Sequence, residues 1–273
     1  MKRGLLVVSG LLLLVPLAAA SRADECDPND PTVLKPNLVA QTPARVRVFQ
    51  NAGARRITFT TMIANLGQGP LTLEGRTVQT SSGPVTEATQ VLQRSDGTTC
   101  THVAGYFVFH PSHHHWHIND MSSYELRKDD PYTGQTVARS SKVSFCLADI
   151  HTARGYHNPP RQVFPNCGQQ EGTQGISVGW EDVYESYLPD QWIDLDLDPA
   201  NPVPAGQYYL VNVPDPDQLL LESDYNPMDK IGIISVGVPG PGGKKTAPHP
   251  RPARGPTHDK NLPGLPGKPR PVS

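Results

Sequence analysis

Ile57-Thr58-Phe59-Thr60-Thr61-Met62-Ile63-Ala64-Asn65, then Leu66-Gly67-Gln68-Gly69-Pro70, then Leu71-Thr72-Leu73, is the stretch whose reading decides the fold. Ile57, Phe59, Thr61 and Ile63 alternate at period two, which lines up one face of an extended chain. The Gly- and Pro-containing run that follows is a turn signal, because glycine frees the backbone and proline interrupts a hydrogen-bonded ladder. Leu71 and Leu73 begin a further strand. The same alternation recurs at Val46 and Val48, at Phe107 and Phe109, and at Tyr209, Val211 and Val213. Ile231, Ile233, Ile234, Val236 and Val238 read as a last strand. In Lys142-Val143-Ser144-Phe145-Cys146 the pattern puts Val143 and Phe145 on one face and Lys142, Ser144 and Cys146 on the other. Many short strands, 29 prolines, 24 glycines and little helical periodicity predict an all-β domain. The expected architecture is an antiparallel β-sandwich-like arrangement with long irregular loops and little helix. No strand–helix alternation and no Gly-rich phosphate loop occurs, which argues against nucleotide binding. A net charge of −2 gives no support for a nucleic-acid partner.

The two ends read differently from this middle. Lys2 and Arg3 precede an apolar run from Leu5 to Leu17 and the small residues Ala18, Ala19 and Ala20. That is the pattern of a secretory signal peptide, expected over residues 1–23. The run is short for a membrane span, and no second one follows. The expectation is therefore a secreted, extracellular chain whose folded domain occupies residues 24–238. From Pro239 to Ser273 there are ten prolines, seven Lys or Arg and one acid, Asp259. Such a segment buries too little apolar surface to offset its chain entropy, and it reads as a disordered Pro-rich basic tail. It has either no role of its own or an electrostatic one against an anionic surface.

Cys26, Cys100, Cys146 and Cys167 all follow the expected cleavage point. An even count in an exported chain suggests disulfides, with three pairings open. The favoured set joins Cys146 to Cys167, closing a loop of about twenty residues worth roughly 3 kcal/mol, and Cys26 to Cys100. Free buried thiols are the alternative. No Cys-x-x-Cys spacing supports a cysteine metal site.

Five of the ten histidines fall in Phe109-His110-Pro111-Ser112-His113-His114-His115-Trp116-His117. On a helix, His113 and His115 would face nearly opposite ways. In an extended chain His113, His115 and His117 share a face, and His114 and Trp116 take the other, where Trp116 can pack. A straight strand separates the outer two by about 13 Å, so the chain must curve or bulge for three rings to meet one ion at roughly 2.0 Å. Imidazole donors suit copper, zinc, iron or nickel, and spacing alone does not choose among them. His110 and His114 read as supporting or surface residues. His102, His151 and His157 stand alone and read as structural.

His110-x-x-His113-x-His115-x-His117, with an aromatic residue before the last histidine, resembles the copper motif of the lysyl oxidase family. Asp120 to Leu126 is similar to the segment after that motif. Lys142-Val-Ser-Phe-Cys146-Leu resembles the stretch holding the family's cofactor lysine, and Gly155-Tyr-His157 a further short element. Thr173 to Gly179, Asp182-Val-Tyr184 and Gln191-Trp-Ile-Asp194 follow the region of the cofactor tyrosine. Glu222-Ser-Asp-Tyr225 matches a late element, and Lys35 to Val39 and Asn65-Leu-Gly67 fit more loosely upstream. The likeness spans about residues 35 to 235. It departs at Ser112, where animal members have cysteine, and at Asn226-Pro-Met-Asp229, where they have paired asparagines.

This resemblance implies a catalytic domain holding copper(II) through His113, His115 and His117. It also implies a lysine tyrosylquinone cofactor formed from Lys142 and Tyr184, the two catalytic residues. The implied reaction is oxidative deamination of a primary amine with oxygen, releasing aldehyde, ammonia and hydrogen peroxide. Asp120 and Asp182 are candidate general bases. Two other readings use the same histidines: a secreted copper- or zinc-binding protein without quinone chemistry, and a three-histidine zinc hydrolase.

Overall fold

The computed structural model describes residues 24–51, 54–165 and 170–240. The expected leader, almost all of the expected tail, and Cys167 lie outside the described residues. Among the described residues the chain runs through β1 (Val33–Leu34), β2 (Leu38–Ala40), β3 (Ala44–Asn51), β4 (Ala54–Asn65), β5 (Leu71–Thr80), β6 (Gly83–Arg94), β7 (Thr99–His110) and β8 (His115–Ile118). It continues through β9 (Ser122–Arg127), β10 (Thr136–Arg139), β11 (His151–Thr152), β12 (Thr173–Ile176), β13 (Trp180–Tyr184) and β14 (Trp192–Asp194). The last elements are β15 (Gly206–Pro214), α1 (Pro227–Lys230) and β16 (Gly232–Val238).

The strands form three sheets, and all pairings between them are antiparallel. One sheet has the order β12-β5-β6-β7-β8 with β1 also on β6, and a second is β10-β9-β15-β16. The third is built on β4, which pairs with β3 and β14 along its first half and with β2 and β13 along its second. The all-β expectation holds, with three sheets around a common core. Leu38, Ile57 and Phe59 from the third sheet meet Leu71, Leu73 and Phe107 from the first and Tyr124, Leu126 and Leu210 from the second.

The expected turn after β4 is fixed by Asn65, which is fully buried. Its side-chain oxygen accepts from the Asn37 and Gly67 amides at 3.1 and 3.0 Å, and its amide nitrogen donates to the Gly69 and Ile176 carbonyls at 2.9 Å each. Gly67 is required by a close approach, since a Cβ there would stand 2.4 Å from the Asn37 nitrogen. The two loosely matching upstream stretches are thus one joined structure.

The segment from Lys142 to Leu147 departs from the strand expected there. It makes a single antiparallel bridge, Ile118 to Phe145, and no ladder. Two of its remaining amides bond side chains, Leu147 N donating to Gln174 Oε1 at 3.1 Å and Cys146 N to the Tyr184 hydroxyl at 2.6 Å, while the Val143 and Leu147 carbonyls accept from the Met121 and Gly175 amides. Lys142, Ser144, Phe145, Cys146 and Leu147 are all buried, so the alternation seen in sequence does not separate an inner from an outer face.

Cys26 and Cys100 form a disulfide, as favoured from sequence. Cys146 is also disulfide-bonded. No helix among the described residues is long and apolar enough to cross a membrane.

Replacing Asn65 with Ala leaves four backbone groups without their partner. The expected loss is about 3 kcal/mol, measured as a lowered urea midpoint with an unchanged slope.

Candidate metal centre

The histidine cluster is the hairpin joining β7 to β8. His110 ends β7 and pairs with His115 at the start of β8. Pro111 to His114 form the turn between them, and His114 adopts the left-handed region at φ 58°. The curvature required by the spacing is therefore a tight turn, with His113 in it and only His115 and His117 on the strand. The three side chains converge, each offering a nitrogen, with all three ligand atoms within 4.8 Å of one another. Trp116 turns the other way, packs against the core and meets Phe109 edge-on at 5.8 Å. His114 is exposed.

Burial and charge favour neutral rings at this site. Desolvation, followed by the neighbouring Lys142 ammonium, pushes His117 down to about 2 and His113 to about 4. Neutral imidazole is the form that binds a cation. His117 is fully buried, and its Nδ1 lies 3.1 Å from Ser144 Oγ. The Nε2 atoms of His115 and His117 are both buried with no hydrogen-bond partner. Two adjacent orphaned nitrogens are costly unless something fills the space between them. The donor set thus fits a metal ion held by imidazole. His113 Nε2 is more committed, lying 3.2 Å from the Pro189 carbonyl and 3.4 Å from Lys142 Nζ. One ring nitrogen can donate to the first or accept from the second, but not both.

The other two expected site residues lie against this cluster, although Lys142 and Tyr184 are far apart in sequence. Lys142 Nζ stands 4.9 Å from the Tyr184 ring centroid and 5.4 Å from that of Phe145. Burial lowers the lysine to about 8, against the opposing influence of Asp190 and Asp182. Tyr184 ends β13. Its hydroxyl donates to Cys146 O at 2.9 Å while accepting from Cys146 N. Burial, reinforced by the charge of Asp182, raises the phenol well above its ordinary value.

Asp182 is itself buried, and desolvation lifts its carboxyl well above the usual range. It lies within electrostatic reach of both Lys142 and Tyr184. Asp120, the other candidate base, sits in the β8–β9 turn, where its carboxylate accepts from Asn119 Nδ2 at 2.6 Å. Of the lone histidines, His102 is held by the Leu219 carbonyl at 3.1 Å, a structural role.

Two residues near the centre gave no signal of their own in the sequence. Ser144 supports His117 from inside the segment read for its lysine. Asp190 lies in the loop between β13 and β14, with Ser112 Oγ donating to it at 3.2 Å. The short element Gly155-Tyr156-His157 also finds its place: the Tyr156 ring packs on Gly179, whose φ of +78° opens the turn into β13.

A family model described as lysyl oxidase matches residues 90–231. Protein-lysine 6-oxidase of Sus scrofa is 34% identical over 119 residues, covering 43% of this chain and 42% of that protein. The Homo sapiens protein of the same name is 35% identical over 118 residues, covering 43% of this chain and 25% of its own length. Lysyl oxidase homolog 1 of Homo sapiens is 35% identical over 119 residues, with 43% and 18% covered. The chain spans less than half the length of these relatives.

Ser144→Ala removes the side chain that fixes the His117 ring. A lost outer partner of a ligating histidine typically weakens metal binding by about 10- to 100-fold. That loss is the expected outcome of a copper(II) titration against a competing chelator.

Proposed function

Because the chain belongs to the lysyl oxidase family, we propose that it is an exported copper-dependent amine oxidase, with His113, His115 and His117 as copper ligands and Lys142 and Tyr184 as cofactor precursors. The reaction is oxidative deamination of primary amines, either peptidyl lysine or small amines, to aldehydes. One observation carries this reading: Lys142 Nζ lies 4.9 Å from the Tyr184 ring and 3.4 Å from His113. A lysine, a tyrosine and a three-imidazole cluster from separate parts of the chain share one buried volume. A metal-binding protein or a zinc hydrolase has no need of that neighbourhood.

Copper, together with the lysine tyrosylquinone made from Lys142 and Tyr184, would supply the oxidation of amine to aldehyde, with oxygen taken to hydrogen peroxide and ammonia released. The remaining work falls to the chain's own groups. Burial leaves Lys142 neutral far more often than an exposed lysine, and a neutral amine is the nucleophilic form. The Cys146 backbone holds the Tyr184 hydroxyl from both sides and so fixes the orientation of its ring. Asp182 is the better placed of the two candidate bases. Its carboxyl lies within electrostatic reach of Lys142 and Tyr184, and burial raises its proton affinity, so that once deprotonated it is a stronger base than an exposed aspartate. Water is largely excluded, with Lys142 3%, Tyr184 7% and His117 0% exposed. The Cys26–Cys100 disulfide accords with an oxidising compartment and supports export.

Tyr184→Phe keeps the ring and removes the oxygen. Expected are loss of the quinone absorbance and of its phenylhydrazine-shifted band, peroxide release reduced to background, and copper content retained near one per chain. Turnover equal to that of the unaltered protein refutes the cofactor assignment.

A further inference from the structure

A second set of ligand atoms adjoins the first. His110, His113 and Asp190 each present one, and these too lie within 4.8 Å of one another. They come from three places: the end of β7, the hairpin turn and the β13–β14 loop. Ser112 ties the first and last together, with Oγ 3.0 Å from His110 Nδ1 and 3.2 Å from Asp190 Oδ2. The His110 ring stacks on His117 at 4.6 Å and meets His113 edge-on at 4.6 Å, so the outer set lies directly against the inner one. The two sets share His113.

Exposure grades from one set to the other. The Asp190 side chain is 36% exposed and that of His110 20%, whereas His117 is fully buried. Two imidazoles and a carboxylate make a common donor set for divalent first-row cations. For copper(II) that set is weaker than three imidazoles, because carboxylate oxygen is the harder donor. Charge points the same way. The Lys142 ammonium beside His113 repels an arriving dication, and the Asp190 carboxylate, which raises the pKa of Lys142 through its field, opposes that repulsion. Asp190 lies outside the His-x-x-His-x-His-x-His motif, and that motif gives the metal only its last three histidines.

We propose that His110, His113 and Asp190 form a capture site for copper(II) at the mouth of the centre, from which the ion passes to His115 and His117 with His113 as the ligand common to both positions. The proposal rests on the reading of His113, His115 and His117 as the final copper site.

Two measurements on the full chain test it, with copper(II) as the probe. The first removes the inner set with His115→Ala/His117→Ala and follows binding by equilibrium dialysis and electron paramagnetic resonance. Expected is one copper bound at least 100-fold more weakly, with a two-nitrogen, one-oxygen signature in place of three nitrogens. Adding Asp190→Asn abolishes that residual binding. The second measures copper uptake, and release to a chelator, in Asp190→Asn alone by stopped flow. Loss of a way station alters the path and not the endpoint, so both rates fall together by five-fold or more. Residual binding in the double variant that Asp190→Asn leaves intact overturns the capture site, as does uptake at the unaltered rate. If the double variant binds copper as tightly as the unaltered chain, the inner assignment fails, and the hand-over loses its destination. If the double variant does not fold, judged by near-ultraviolet circular dichroism, the stopped-flow rates decide.

Discussion

The edge-to-face contact between Phe145 and Tyr184, with centroids 4.8 Å apart, joins the core to the chemistry. It ends a run of such contacts, from Phe59 on β4 to Tyr124 on β9 at 4.9 Å and from Tyr124 to Phe145 at 5.6 Å. Each ring belongs to a different part of the chain, so the packing holds two sheets and the irregular 142–147 segment in one register. Large aromatic rings bury much surface and tolerate few alternative placements. The Tyr184 ring, against which Lys142 Nζ stands, is therefore positioned by the core.

The electrostatics of the centre follow from the same enclosure. Lys142 and Asp182 are both buried and lie within reach of each other, and desolvation acts on them in opposite directions: it lowers the lysine and raises the aspartate. Both shifts favour the neutral forms, which diminishes the charge the core must hold. The histidines respond in the same sense. Neutral imidazoles are the form that binds a cation, and the lowered lysine reaches its nucleophilic neutral form more readily than an exposed one.

Much of this was legible in the sequence, and the rest was hidden for physical reasons. β4 and β16 showed themselves because inward apolar residues alternate along them, whereas on β7 Phe107 is buried and Phe109 exposed, and on β15 Tyr208 and Leu210 are buried while Tyr209 and Val213 are only partly so. β6 did not show itself, since its buried positions include Thr86 and Gln90. Gln90 exchanges two hydrogen bonds with the Leu221 backbone, so a polar side chain occupies a core-facing position at little cost. The 142–147 segment misled because alternation signals a strand only where one face meets solvent, and here both are enclosed. The three histidines could be named from spacing, whereas a turn with His114 in the left-handed region could not. Asp190 left no trace, being more than seventy residues beyond the hairpin it approaches.

β4 is hydrogen-bonded on both edges to four different strands, whose sequence positions run from Leu38 to Asp194. Its ladders with β2 and β3 can form early, but the edge it presents to β13 and β14 cannot close until residue 194 has been synthesised. Until then β4 offers unpaired amides and carbonyls beside Ile57, Phe59 and Ile63, the kind of apolar edge that recruits other chains. Long-range pairing of this sort also slows folding. The nascent protein therefore carries its most association-prone strand early and protects it late, which makes the interval between synthesis and closure the stage at which assistance from chaperones matters most.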